Sequence, residues 1–277
     1  MNSVIQCGKY KLDFTNKTLI MGIVNVTPDS FSDGGQYNSI SGAVEHAERL
    51  VAEGADILDI GGESTRPGHE PVSVQEELDR VIPVIKALSK RVSVPISIDT
   101  YKAEVAKRAI EAGATIINDI WGAKAEPEIA KVAKEFQVPI ILMHNRPNRD
   151  YLNFMEDAIK DLQDSIEMAL SAGVPKGQII LDPGIGFAKD FAENIEMMQN
   201  LDRLVELGFP VLLATSRKRM IGHILDLPVD ERMEGTGASV CYGIQKGCQL
   251  VRVHDVKEIK RMVDVMDVLC GKRKMDG

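Results

Sequence analysis

The chain has 277 residues, 44% of them hydrophobic, and a formal net charge of -8. That acidity argues against a general binder of nucleic acid or anionic membranes, while leaving room for a local cationic pocket. No run approaches the ~20 apolar residues of a membrane span, and residues 1–11 lack the apolar stretch of a secretory signal.

Cys7, Cys241, Cys248 and Cys270 show no C-x-x-C spacing and read as reduced thiols of a cytoplasmic protein. Residues 4–14 predict a small hairpin turning at Gly8-Lys9, and a first long strand follows at 19–25, ending in Asn25. A connection over 27–39, rich in Gly, Pro, Ser and Asp, leads to a helix at 41–53 and a strand at 55–61. A second long connection, 61–73, precedes a helix at 74–90. Connections of this length at one end of a sheet suit binding loops, and these two carry Phe31, Thr65 and Arg66.

The strand at 94–99 ends in Asp99 and is followed by a helix at 102–112, so Asp99 either accepts N–H bonds from a ligand or caps that helix. Next comes a strand at 115–119 whose neighbours Asn118 and Asp119 cannot both face one side, and the pattern leaves open which one does. A helix at 127–136, a strand at 138–144 ending in His144, and a helix at 154–172 continue the alternation. The strand at 178–182 delivers Asp182 into the loop Pro183-Gly184-Ile185-Gly186-Phe187, before a helix at 192–207.

A strand at 209–215 runs into Thr215-Ser216-Arg217-Lys218-Arg219, which opens a helix with three cations beside free backbone N–H groups, a setting suited to an anion. After a helix at 231–246, the last strand, 249–254, has period two, so Arg252 and His254 share a face and look like a diphosphate clamp. A helix at 256–269 and a charged tail at 271–277 complete the chain. Several helices end in Gly before the next strand, at Gly54, Gly113 and Gly208.

Eight strand–helix units predict an α/β fold, a single (β/α)8 TIM barrel with a short N-terminal β-hairpin, forming one domain over 1–277. In such a barrel the strand C-termini meet at one rim, which gathers Asn25, Asp99, Asn118, His144, Asp182, Lys218, Arg252 and His254. The histidines are too scattered for a zinc site, and no G-x-S-x-G elbow supports a serine hydrolase.

Taken in order, the segments Met21-Gly22-Ile23-Val24-Asn25-Val26-Thr27-Pro28-Asp29-Ser30-Phe31-Ser32-Asp33-Gly34-Gly35 and Asp59-Ile60-Gly61-Gly62-Glu63-Ser64-Thr65-Arg66-Pro67-Gly68 closely resemble two signature segments of the dihydropteroate synthases. These are pterin-binding enzymes of folate biosynthesis and the targets of sulfonamides. Further resemblance lies in Ser97-Ile98-Asp99-Thr100, Ile117-Asn118-Asp119, Leu181-Asp182-Pro183-Gly184-Ile185-Gly186-Phe187, Thr215-Ser216-Arg217-Lys218 and Arg252-Val253-His254-Asp255.

The resemblance implies a transferase that joins (7,8-dihydropterin-6-yl)methyl diphosphate to p-aminobenzoate, by a dissociative route. It assigns Asp99, Asn118, Asp182 and Lys218 to the pterin, and Asn25, Arg252 and His254 to the diphosphate, with Mg2+ shared between Asn25 and the diphosphate oxygens. It gives Phe31, Thr65, Arg66, Pro67, Phe187 and Lys218 to p-aminobenzoate, and stabilisation of a cationic intermediate to Asp33, so that Asp33 and Lys218 stand as the catalytic pair. It also implies a cytoplasmic homodimer joined through outer helices. Many relatives carry Ser where this chain has Arg219, so that contact is not carried over. The alternative is a pterin- or folate-binding barrel of the corrinoid methyltransferase type, which needs neither Thr65-Arg66-Pro67 nor the Lys218, Arg252 and His254 cluster in this form.

Overall fold

The computed structural model describes residues 3–26, 35–63 and 71–274. The chain opens with an antiparallel hairpin of β1 (Val4–Cys7) and β2 (Tyr10–Asp13), whose turn sets Gly8 at φ 59°, as the Gly8-Lys9 signal predicts. Strands and helices then alternate: β3 (Leu19–Asn25), α1 (Gly35–Ala52), β4 (Ile57–Gly61), α2 (Val74–Leu88), β5 (Ile96–Asp99), α3 (Ala103–Ala112), β6 (Ile116–Asp119) and α4 (Glu128–Phe136). They continue with β7 (Ile140–Met143), α5 (Phe154–Ser171), β8 (Ile179–Asp182), α6 (Phe191–Gln199), α7 (Leu201–Val205), β9 (Leu212–Leu213), α8 (Arg219–Leu225), α9 (Met233–Gln245), β10 (Leu250–Val253) and α10 (Val256–Leu269).

Strands β3 to β10 form one parallel eight-stranded sheet in the order β8-β7-β6-β5-β4-β3-β10-β9. A parallel bridge between Leu181 and Val211, with Leu181 N donating to Pro210 O at 2.9 Å, joins the outer strands and closes the barrel. Alternation along each strand divides the apolar residues in two. Ile20, Leu58, Ile98, Ile117, Leu142 and Val251 pack outward against the helices. Leu19, Met21, Ile57, Ile116, Ile141, Ile180, Leu212 and Leu250 fill the interior, where Ile5, Cys7, Leu12 and Phe14 of the hairpin region join them. The hairpin therefore stoppers the N-terminal end, and the opposite end remains for ligands.

Four elements depart from the sequence reading. Helix α1 begins at Gly35, inside the connection expected over 27–39, where no proline interrupts residues 35–40. Strand β9 keeps only two residues of the expected seven, because Pro210 has no N–H and the Val211 amide bonds to Gln249 Oε1 at 2.8 Å. The single helix expected at 192–207 breaks at Asn200, whose side chain bonds back to Glu196 O at 2.8 Å and satisfies a terminal carbonyl. The helix expected over 231–246 is preceded by the short α8, which starts directly after Lys218. Gly113, at φ 125°, ends α3 as the sequence predicts, with its N–H returned to the last turn.

Candidate active site

The barrel's alternation settles which side chains enter the mouth. In register, Asn25 stands beside Gly61, Gly61 beside Asp99, and Asp99 beside Asn118. Asn118 faces inward, donating from Nδ2 to Asp59 at 3.0 Å. Asp119 turns the other way, accepting from Trp121 N at 2.8 Å and Ala123 N at 2.6 Å, which makes it a loop-shaping residue. Asp99 does not cap α3: the cap position is Lys102, and Ala103 N bonds to Glu126 Oε2 at 3.1 Å.

One network lines the floor. Arg252 donates from Nε to Asp59 Oδ2 at 2.6 Å and from Nη2 to Asp99 Oδ2 at 2.7 Å, so its charge is shared between two buried carboxylates. Those partners hold the guanidinium above its ordinary pKa although burial works against it. Burial pushes Asp99 up to about 7 against the pull of Arg252, and Asp59 adds to the rise. Asp182 rises to about 6, again through burial, opposed first by the Gly184 amide that donates to its Oδ1 at 2.7 Å. Lys218 is brought down to about 8 by burial, against the attraction of Asp182. Its Nζ lies 4.4 Å from the centre of the Phe187 ring, a cation–π contact that sets both at one edge of the mouth.

Beside it, after the neighbouring strands β9 and β10, Ser216 Oγ accepts from His254 N at 3.1 Å and lies 2.8 Å from His254 Nδ1. A hydroxyl proton donated to Nδ1 would leave the ring proton on Nε2. Burial and the nearby Arg252 and Arg217 lower His254 to about 3, so the imidazole is neutral. The three cations expected beside Thr215 separate: Arg217, at φ 57°, forms a two-pronged bond to Asp255, Arg219 is exposed, and Lys218 alone joins the floor.

His144, expected at the rim, lies fully buried behind the 183–187 loop. Lys189 Nζ donates to its Nδ1 at 2.7 Å and to the carbonyls of Gly184 and Phe187, both at 2.9 Å. His144 Nε2 in turn reaches Asp161 Oδ2 at 3.1 Å. Gly184, at φ 66°, approaches so closely that a Cβ there would lie 2.0 Å from His144 O. Asp59, Lys189, Asp161 and Ser216 were not singled out from sequence, though a carboxylate inside the apolar run of β4 is itself a signal. Phe31, Asp33, Thr65, Arg66 and Pro67 lie outside the described residues.

Carboxylates, an amide, cations and an imidazole thus gather at one end of a parallel barrel, and the class to which the chain belongs is that of the pterin-binding enzymes. A profile of the family described as pterin binding enzyme matches residues 21–254. The chain is 59% identical to a dihydropteroate synthase of Bacillus subtilis (strain 168), over 97% of this chain and 94% of that protein. A dihydropteroate synthase from Clostridium difficile, solved in the presence of pteroic acid, superposes with a TM-score of 0.91 at 49% identity, covering 93% of this chain and 98% of that one. One from Yersinia pestis, in complex with a sulfonamide drug, gives a TM-score of 0.90 at 40% identity, with 97% and 99% covered. The chain belongs to the dihydropteroate synthase family. That likeness displaces the alternative of a corrinoid-type folate-binding barrel.

Proposed function

We propose that this chain, as one barrel domain, condenses (7,8-dihydropterin-6-yl)methyl diphosphate with p-aminobenzoate to give 7,8-dihydropteroate and diphosphate. The observation that carries the reading is the floor itself, where Asp99, Asn118, Asp182 and Lys218 bring acceptors, a mixed amide and a donor to one end of the barrel. Carboxylates and an amide at fixed places match the edge of an amino-oxo ring. Arg252, through Nη1, and His254, through Nε2–H, are assigned to the diphosphate together with Asn25.

The C–O bond breaks with its electron pair leaving on the diphosphate, and the electron-rich dihydropterin delocalises the positive charge left on the methylene carbon. The amine of p-aminobenzoate, neutral at pH 7, attacks that carbon and then loses a proton. Donors at the departing diphosphate act where charge develops, and Asp33 is assigned to the cationic ring. Phe187 and Lys218 would form one wall of the p-aminobenzoate pocket, with Phe31, Thr65, Arg66 and Pro67 supplying the rest. A Yersinia pestis relative solved in complex with a sulfonamide drug supports the reading of this chain as a sulfonamide target.

Among the described residues no three His, Cys, Asp or Glu side chains gather into a metal cage. The donor set instead offers one amide: a Cβ placed on Gly61 would lie 3.9 Å from Asn25 Oδ1 and 3.7 Å from Asp99 Oδ2. A single neutral oxygen suits Mg2+, an ion that keeps several waters and binds through substrate phosphates. Asn25 would hold it, and Mg2+ when bound supplies charge neutralisation for the leaving group.

The protein is assigned to the cytoplasm on its four free cysteines; no described helix is long and apolar enough to cross a membrane. A homodimer through the outer helices is supported by exposed Tyr242 on α9 and Val265 and Leu269 on α10; sedimentation at monomer mass across micromolar concentrations would refute it. The site assignment is tested by Lys218→Ala and Asp182→Ala, each expected to lower kcat/KM at least about 100-fold, or about 2.7 kcal/mol. A Lys218 variant with full activity would overturn it.

A further inference from the structure

Asp59 sits one alternation below the rim on β4, fully buried, between residues that the sequence keeps far apart. Its Oδ2 accepts from Asn118 Nδ2 of β6 at 3.0 Å and from Arg252 Nε of β10 at 2.6 Å. Its Oδ1 is buried with no hydrogen-bond partner. Asp59 is therefore too deep to be a rim ligand, yet both groups it holds line the floor of the site.

We propose that Asp59 is the positioning residue that fixes the hydrogen-bond polarity of the pterin site, by locking the amide of Asn118 and the plane of the Arg252 guanidinium with one carboxylate oxygen. The proposal rests on the assignment of Asn118 to the pterin. An ionised carboxylate only accepts, so the Asn118 side chain must turn its NH2 toward Asp59. Flipping the amide would set its carbonyl oxygen against the carboxylate in a buried place, where such a conflict is costly.

With one N–H committed, Asn118 offers Oδ1 and a second N–H in an arrangement that cannot be exchanged. A ring edge whose donors and acceptors are swapped then finds like groups facing each other. A buried site built for one polarity rejects the other strongly, because the mismatched groups lose water without gaining partners. Arg252 is held in the same way: with Nε on Asp59 and Nη2 on Asp99, its plane is fixed by two bonds from different strands.

The test compares two probes in calorimetry on the purified full chain: 6-hydroxymethylpterin, with its 4-oxo acceptor, and the 2,4-diamino counterpart, which places an amino donor there. The unsubstituted chain is expected to prefer the oxo ring at least tenfold. Asp59→Asn, which keeps an acceptor but permits the flip, is expected to reduce that preference at least threefold; Asp59→Leu should reduce it further. A purely structural role for Asp59 would weaken both probes alike and leave the ratio within threefold, which would overturn the proposal, and the Asn variant decides the matter if the Leu variant fails to fold. Asn118→Ala separates the two levels. Unchanged binding there would overturn the pterin assignment itself, whereas weakened binding with an unmoved ratio in Asp59→Asn would overturn only the role of Asp59.

Discussion

Replacing Lys189 with methionine keeps the apolar stem of the side chain and removes its ammonium, which in the native protein serves three acceptors at once: His144 Nδ1 at 2.7 Å, and Gly184 O and Phe187 O at 2.9 Å each. At 9% exposure the position admits little water to replace them. Each buried acceptor left without a donor costs about 1–3 kcal/mol, and the recovered desolvation of the ammonium offsets part of the sum, leaving about 3 kcal/mol. For a domain of this size that corresponds to a fall in Tm of about 6–12 °C.

The loss is directed as well as global. Two of the three acceptors lie on the loop that carries Phe187, and Asp182 Oδ1 and Asn194 Oδ1 pin that same loop through Gly184 N at 2.7 Å and Gly186 N at 2.6 Å. Loosening it should raise KM for p-aminobenzoate about tenfold, equivalent to about 1.4 kcal/mol, while KM for the pterin changes much less. Calorimetric melting and steady-state kinetics on Lys189→Met read both effects. A Tm within about 2 °C of the native value and an unchanged KM for p-aminobenzoate would refute the reasoning.

Two further outcomes follow from the electrostatics. Asp182 and Asp99 accept N–H bonds best when ionised, and burial raises them to about 6 and about 7, so protons compete with the pterin as pH falls through 7 to 6. Pterin affinity should drop about tenfold or more between pH 8 and pH 5 in calorimetry; a flat profile would contradict the ligand roles of these carboxylates. Ser216→Ala removes the hydroxyl that bonds to His254 Nδ1 and frees the imidazole ring, so affinity for the diphosphate-bearing pterin should fall about tenfold. Affinity for a pterin lacking the diphosphate should hold, and equal loss for both ligands would argue against His254 as an anion donor.

Local patterns foretold the residues at strand ends better than the residues behind them. A polar residue closing an apolar run can be read from a few neighbours, and Asp99, Asp182, Arg252 and Asn118 do line the floor. The choice between Asn118 and Asp119 waited for the fold, since period two divides neighbours without saying which face is inner. Asp59 was overlooked because its partners are 59 and 193 residues away in sequence, and nothing local connects them. His144 looked like a rim residue from its place after β7, but the loop that follows β8 folds over it and Lys189 takes its open nitrogen. The three clustered cations misled in the opposite direction, because a positive φ at Arg217 turns its side chain to Asp255 and spends its charge on joining two loops.

The most direct measurement incubates the purified chain with (7,8-dihydropterin-6-yl)methyl diphosphate, p-aminobenzoate and Mg2+, and follows both products in one time course. Condensation at this site requires dihydropteroate and pyrophosphate to appear in equal amounts, each dependent on both substrates. Pyrophosphate without dihydropteroate, or pterin binding with neither product, would contradict it.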